Sequence, residues 1–222
     1  MTAQIEAVKK EKPSLIGSII SPTVQFEKMR DSNKIWGAFF LLIILGGIIG
    51  ALASYVSVNS PQMLKMLATP PTTQDKNIAV GTGLLLGVLG TALTLLITAL
   101  FYRVIMMFMS NDTPYKKILA IIVYASLIKY MGSIINIVLA FILGGKGTEK
   151  YTSLGPLFET GTVASGIGNT FEIFSIWGLI LTGIGLHITA GISKKQATIL
   201  IIIILFIISL GFNSLTGLVP KM

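Results

Sequence analysis

The sequence predicts an all-α integral membrane protein. It is read as a bundle of five transmembrane helices with a cytoplasmic N-terminus, an outside C-terminus and a short interfacial helix before the first span. Three observations carry this. Five apolar stretches, 35–56, 78–102, 118–143, 173–192 and 197–219, each reach the roughly 20 residues needed to cross about 30 Å of hydrocarbon. Four of them contain no Asp, Glu, Lys or Arg, and the third contains only Lys129. Charged residues make up 12% of the chain against 53% hydrophobic, well below the roughly 25% charged of an average soluble domain.

The organisation follows from the spans. Residues 1–34 form a polar cytoplasmic tail, and 35–222 form one membrane domain, because the loops are too short to fold separately. The tail has no apolar region beside its start, so no signal peptide is expected and the first span acts as a retained insertion signal. Within the tail, Leu15, Ile16, Ile19, Ile20, Val24, Phe26 and Met29 recur at near-helical spacing, punctuated by Pro13 and Pro22. Lys28, Arg30 and Lys34 follow. This predicts a short helix lying apolar side down on the cytoplasmic leaflet.

Orientation comes from charge. With the N-terminus inside, the cytoplasmic segments hold Lys9, Lys10, Lys12, Lys28, Arg30, Lys34, Arg103, Lys116, Lys117, Lys194 and Lys195. The other side holds only Lys65, Lys76, Lys146, Lys150 and Lys221. An excess of Lys and Arg marks the cytoplasmic side. The net charge of +8 is thereby read as topology and as attraction to anionic lipid, not as a nucleic-acid surface, since no aromatic residues interleave with the basic ones.

The first outer loop, with Pro61, Pro70 and Pro71, is expected to be irregular apart from a helical turn through 63–67. The second, 144–170, is rich in Gly, Ser and Thr. It is not a phosphate-binding loop, because no strand precedes it and no Gly-Lys-Ser/Thr ends it. The sequon Asn111-Asp112-Thr113 falls in a predicted cytoplasmic turn and is read as chance.

Polar residues within the spans are the candidates for function. On the third span Ser126, Lys129, Ser133, Asn136 and Ala140 share one helical face. On the fourth, Ser175, Gly178, Thr182, Gly185 and Thr189 do the same. Two small, hydroxyl-rich seams of one period predict a packing interface with hydroxyls bonded across it. Gly46-x-x-x-Gly50-x-x-x-Ser54 and Gly83-x-x-x-Gly87 predict close helix contacts within the protomer or between copies. Lys129 lies about 16 Å along its helix, near mid-bilayer. It is expected to be held by the seam hydroxyls and Asn136, or to be neutral, or to face a wet cleft or a partner protein. Glu172, at the outer edge of the fourth span, is the nearest acid in the membrane.

Catalysis and coupled transport are both disfavoured. The chain has no cysteine, which excludes disulfides, thiol catalysis and iron–sulfur clusters. His187 is its one histidine, so it cannot build a typical zinc site. A serine–histidine pair fails as well, because Ser165 is assigned to the opposite side of the membrane. His187 is read as a buried hydrogen-bonding residue. The spans lack midplane carboxylates and broken helices, and five helices do not divide into equal inverted repeats. No cofactor is expected.

The stretch Phe171-Glu172-Ile173-Phe174-Ser175-Ile176-Trp177-Gly178-Leu179-Ile180-Leu181 leads through Gly183-Ile184-Gly185-Leu186 to Ser193-Lys194-Lys195-Gln196-Ala197. It resembles the Yip1 family of membrane proteins. Ser21-Pro22-Thr23-Val24-Gln25-Phe26 and Tyr115-Lys116-Lys117-Ile118 with Val123-Tyr124-Ala125 agree with that resemblance. It implies five membrane helices, a cytoplasmic N-terminus and no known catalytic activity. Eukaryotic members act in vesicle trafficking with small GTPases, whereas bacterial members look like accessory proteins, some associated with ABC-type exporters. The short tail and the Ile- and Lys-rich composition favour the bacterial kind. The expected protein is thus a multi-pass accessory protein of the bacterial plasma membrane, its partners lipid, other membrane proteins and further copies of itself. The interaction or packing candidates are Lys129, Asn136, Glu172, Trp177, Thr182, Gly185 and His187. A small channel or carrier for a lipid or solute, with Lys129 lining its path, is the rival.

A reporter active only in the cytoplasm is expected to work when fused after Lys12, Lys116 or Lys194 and to fail after Lys146 or Met222. Activity after Met222 means that a span is miscounted, the fourth and fifth being the first suspects because so short a turn joins them.

Overall fold

The structure is a computed structural model that describes residues 12–32, 34–67, 69–159 and 161–207. Every regular element among them is helical. The tail forms two short helices, α1 (Gly17–Ile20) and α2 (Pro22–Arg30), rather than one, because Pro22 has no N–H and starts a new helix after Ser21. Among the described residues four helices are long and apolar enough to span a membrane: α3 (Trp36–Val58), α5 (Thr73–Phe108), α6 (Tyr115–Leu143) and α8 (Ile173–Ala190). The expected turn in the first loop is α4 (Pro61–Met66), capped by Ser60 Oγ. The second loop holds a single 3₁₀ turn (Gly155–Leu157) and α7 (Val163–Gly168). The last described element is α9 (Lys194–Ile207). The fifth predicted span, 197–219, therefore lies partly outside the described residues, as do Lys9, Lys10, Lys221 and Met222.

Helix ends depart from the apolar stretches because capping sets them. Helix α5 begins five residues before its stretch. Thr72 Oγ1 accepts from the Asp75 N–H at 3.2 Å, and Asp75 Oδ2 accepts from the Thr72 N–H at 2.9 Å. The helix also runs six residues past Tyr102, where the Arg103 guanidinium bonds the Asn111 carbonyl at 2.8 Å. Its 36 residues come to about 54 Å, more than a bilayer core needs. Helix α6 ends at Gly144 and α8 at Gly191, both left-handed, with φ of +71° and +75°.

The spans pack as two pairs, α3 with α5 and α6 with α8, and α6 sits at the centre. Its apolar window is 61% buried against 17% for α5. In lipid, burial of apolar area does not drive helices together, so close contact must. The α3–α5 pair achieves it through glycine. A Cβ on Gly87 would fall on the Gly46 carbonyl oxygen, one on Gly50 would fall on the Gly83 oxygen, and one on Gly83 would meet Ser54 Oγ. The contact is within the protomer, backbone against backbone.

The α6–α8 seam forms on the expected faces. Gly185 opposes Ile121 of α6, Gly178 opposes Lys129, and Gly132 receives Phe174. The expected cross-helix hydroxyl bonds are absent among the described residues. Ser133 Oγ donates to the Lys129 carbonyl (3.1 Å) and Thr182 Oγ1 to the Gly178 carbonyl (2.8 Å), each on its own helix. A helical Ser or Thr satisfies itself four residues back and needs no partner.

The tail is also more deeply engaged than a helix lying on a leaflet. Phe26 is fully buried, against Gly185. Thr189 Oγ1 donates to the Phe26 carbonyl (2.7 Å), Ser18 Oγ contacts the Tyr124 carbonyl (3.0 Å), and Lys117 Nζ donates to the Arg30 carbonyl (2.8 Å). Tyr124 lies about 13 Å along α6 from Tyr115. One side of α1 and α2 thus joins the core, while Ile16, Ile20 and Val24 stay exposed.

Gly87→Leu is expected to force α3 and α5 apart and to lower the melting temperature in detergent, overpacking costing about 1–3 kcal/mol. Gly90→Leu, three residues further along α5, meets nothing within 4 Å and should melt as the wild type does. Equal melting of the two variants would refute the backbone contact.

Candidate functional site: a polar cleft around Lys129

The Lys129 stem lies in the space left by Gly178, where a Cβ would come within 2.6 Å of Lys129 Cε. Pinned there, the side chain runs along α8 into a cleft of about 230 Å³ between α3, α6, α8 and the second loop. Ser133, Asn136, Glu172 and Ser175 line it, with Glu149 and Lys150 from the loop. Glu172 and Lys150 share that cleft with Lys129. The depth of its Cα is therefore a poor guide to the depth of its charge, because a four-methylene stem can carry the ammonium toward a polar place.

Of the settings expected for Lys129, the hold by Asn136 is not among the hydrogen bonds of the described residues. The Asn136 amide donates to Thr152 Oγ1 (2.9 Å) and to the Gly132 carbonyl (3.0 Å), and its oxygen accepts from the Thr152 N–H (3.0 Å). Thr152 Oγ1 in turn donates to Glu172 Oε1 at 2.8 Å. Thr152 comes from the loop and its part was not legible in the sequence. The four-residue spacing from Gly132 to Asn136 on α6 was the only local signal.

Glu172 is the N-cap of α8. Its carboxylate accepts from the Phe174 N–H (3.1 Å) and the Ser175 N–H (2.6 Å). An acid at a helix N-terminus answers unpaired N–H groups and the positive end of the dipole. Burial pushes its pKa up, but the hydrogen bonds from Ser175, Thr152 and Phe174 outweigh that and hold it below the usual carboxylate value. The cluster thus joins a loop, the start of α8 and the middle of α6.

The other candidates lie elsewhere. Thr182 and Gly185 belong to the α6–α8 seam. Trp177 is 43% exposed on the outer side of α8, where a bilayer or a partner would meet it. His187 is at the opposite end of α8, with Nδ1 2.7 Å from the Ile192 carbonyl; the carbonyl can only accept, so Nδ1 carries the hydrogen. It lines a second cleft with Glu27 and Lys194. Among the described residues no three of His, Asp and Glu come together as metal ligands.

The Yip1 domain profile matches residues 16–215, which takes in α1 through α9. The chain belongs to the Yip1 family. It is 35% identical over 214 residues to membrane protein YknW of Bacillus subtilis (strain 168), covering 94% of this chain and 92% of that protein. No solved structure matches. The Yip1 domain thus includes the tail helices, in keeping with the burial of Phe26.

Because the folded-state pKa of Glu172 is depressed, its contribution to stability is present above the ordinary value of about 4.5 and is lost as pH falls through the folded value. Melting temperature in detergent should fall as pH drops below about 4.5. Glu172→Gln should melt lower at pH 7 and show a shallower acid slope. Superimposable slopes for the two proteins would remove Glu172 from this role.

Proposed function

We propose that this Yip1 protein is a non-enzymatic accessory subunit of the bacterial plasma membrane that binds and helps assemble another membrane complex, an ABC-type exporter in the first instance. The observation that carries the reading is the uncovered flank of α5. Among the described residues only the side facing α3 and α6 is occupied, while Leu85, Leu86, Leu89, Leu93, Ile97 and Phe101 stay exposed along the helix. Gly90 and Thr94 lie in that flank, exposed and free of bulk, so a helix of another protein can approach the backbone closely. Family membership is compatible with the reading, since the Yip1 resemblance implies bacterial members that look like accessory proteins. The α5 flank is also where lipid sits when no partner is bound.

A carrier or channel is the rival reading, and the cleft of about 230 Å³ around Lys129 and Glu172 speaks for it. The two separate in one set of experiments. Full-length protein purified in mild detergent from its own membranes should bring down the subunits of an ATP-driven exporter, and Gly90→Leu should fold yet lose them. Lys129→Met keeps the volume and removes a charge costly to bury, so it should melt at or above the wild-type temperature and retain the partner. Protein that purifies alone, and that in liposomes supports a solute flux abolished by Lys129→Met, would establish the rival instead.

A further inference from the structure

A cleft of about 660 Å³ lies between α2, α8 and α9, away from Lys129. Its lining is sorted by depth. Helices α8 and α9 run antiparallel across the turn 191–193, so His187 and Lys194 stand at one level with Thr23 and Glu27 of α2. On α9 the lining passes Ala197 and Thr198, one turn beyond Lys194, and deeper still the walls among the described residues are Ile180, Gly183, Ile184, Ile201 and Ile202. From Lys194 to Ile202 is about 12 Å along α9. A polar mouth over an apolar trough, aligned with the helices, has the polarity of a lipid standing in one leaflet.

The mouth discriminates among lipids. Glu27 and Lys194 are both exposed, and no hydrogen bond among the described residues engages either charge. Together they are neutral overall, one acid and one base, which suits a head group carrying both an ammonium and a phosphate. With Nδ1–H committed to the Ile192 carbonyl, His187 keeps Nε2 as an acceptor. Glu27 and His187 are then two acceptors for N–H donors, and Lys194 is a donor for a phosphate oxygen. A quaternary choline has no N–H to give and is recognised by aromatic cages, and among the described residues no Phe, Tyr or Trp lines this cleft. A purely anionic head group would face the Glu27 carboxylate. The mouth is held in place by the Thr189 bond to the Phe26 carbonyl, one residue before Glu27.

We propose that this cleft binds one glycerophospholipid of the phosphatidylethanolamine class, its ammonium on Glu27 and His187, its phosphate on Lys194 and an acyl chain along the isoleucine trough. A bound lipid would fasten α2 to α8 and α9 at the end of the bundle that carries Lys117 and Lys194.

The test is native mass spectrometry of the full-length protein, delipidated in detergent and offered an equimolar mixture of phosphatidylethanolamine, phosphatidylcholine and phosphatidylglycerol with identical chains. One phosphatidylethanolamine should be retained in preference to the others. Glu27→Gln should cut the preference over phosphatidylcholine by about tenfold, the loss of one charge-assisted hydrogen bond, with melting unchanged because Glu27 is exposed. Ile184→Trp should fill the trough and abolish retention; if it fails to fold, Ile202→Trp on the facing wall, whose side chain is exposed, makes the same test. Equal retention of the three lipids, preference for phosphatidylglycerol, or a preference that survives Glu27→Gln would each overturn the proposal.

Discussion

A helix in a bilayer gains little by hiding leucine, since the lipid is as apolar as leucine. It must be held by contact. That constraint decides where this chain puts its small residues, and the remaining structure depends on those contacts. On α3 and α5, Gly46, Gly50, Gly83 and Gly87 bring backbone against backbone. On α8 the glycines serve different neighbours. Gly178 makes room for the Lys129 stem, Gly183 for Ile201 of α9, and Gly185 for both Ile121 and Phe26. Helix α8 thus packs closely on three elements at once, and both clefts described above open beside those contacts.

Much of the fold was legible because lipid imposes a strict rule. Backbone groups must be satisfied internally, so apolar stretches of span length had to be helices. Their ends were legible only in part, because hydropathy reports the thickness of the lipid while caps end the helix. The Thr72–Asp75 box and Gly191 are the cases in point. The matched periods on α6 and α8 identified the faces that meet. They could not say where the hydroxyls would bond, since a carbonyl four residues back is always within reach. The glycine motifs of α3 and α5 were ambiguous among 23 glycines until the partner helix was seen to place its own glycine at the same level.

The site was less legible, for a geometric reason. Lys129 was located by its Cα and Glu172 by its place at a helix boundary, and on that count they are about half of the bilayer apart. A flexible stem pinned by Gly178 brings both to one cleft. The loop residue Thr152 completes the cluster through a contact between elements that no spacing within α6 or α8 encodes. The docking of the tail was hidden likewise. Its apolar residues read correctly as one helical face, but a face that suits lipid suits Gly185 and Ile121 equally well.

Gly178, Gly183 and Gly185 within eight positions would weaken a helix in water, by up to about 1 kcal/mol each relative to alanine. Part of that cost is the ease with which a glycine helix surrenders its backbone to water. In the bilayer there is no water to receive it, and an opened N–H or C=O would cost several kcal/mol. The lipid therefore removes much of the cost of glycine while leaving its benefit, the close approach, intact. This is why α8 can carry so many contacts on so little side chain. Polar groups gather toward its two ends, Glu172 in one cleft and His187 in the other, while the mid-helix residues that the second cleft shares, Ile180, Gly183 and Ile184, carry no polar side chain.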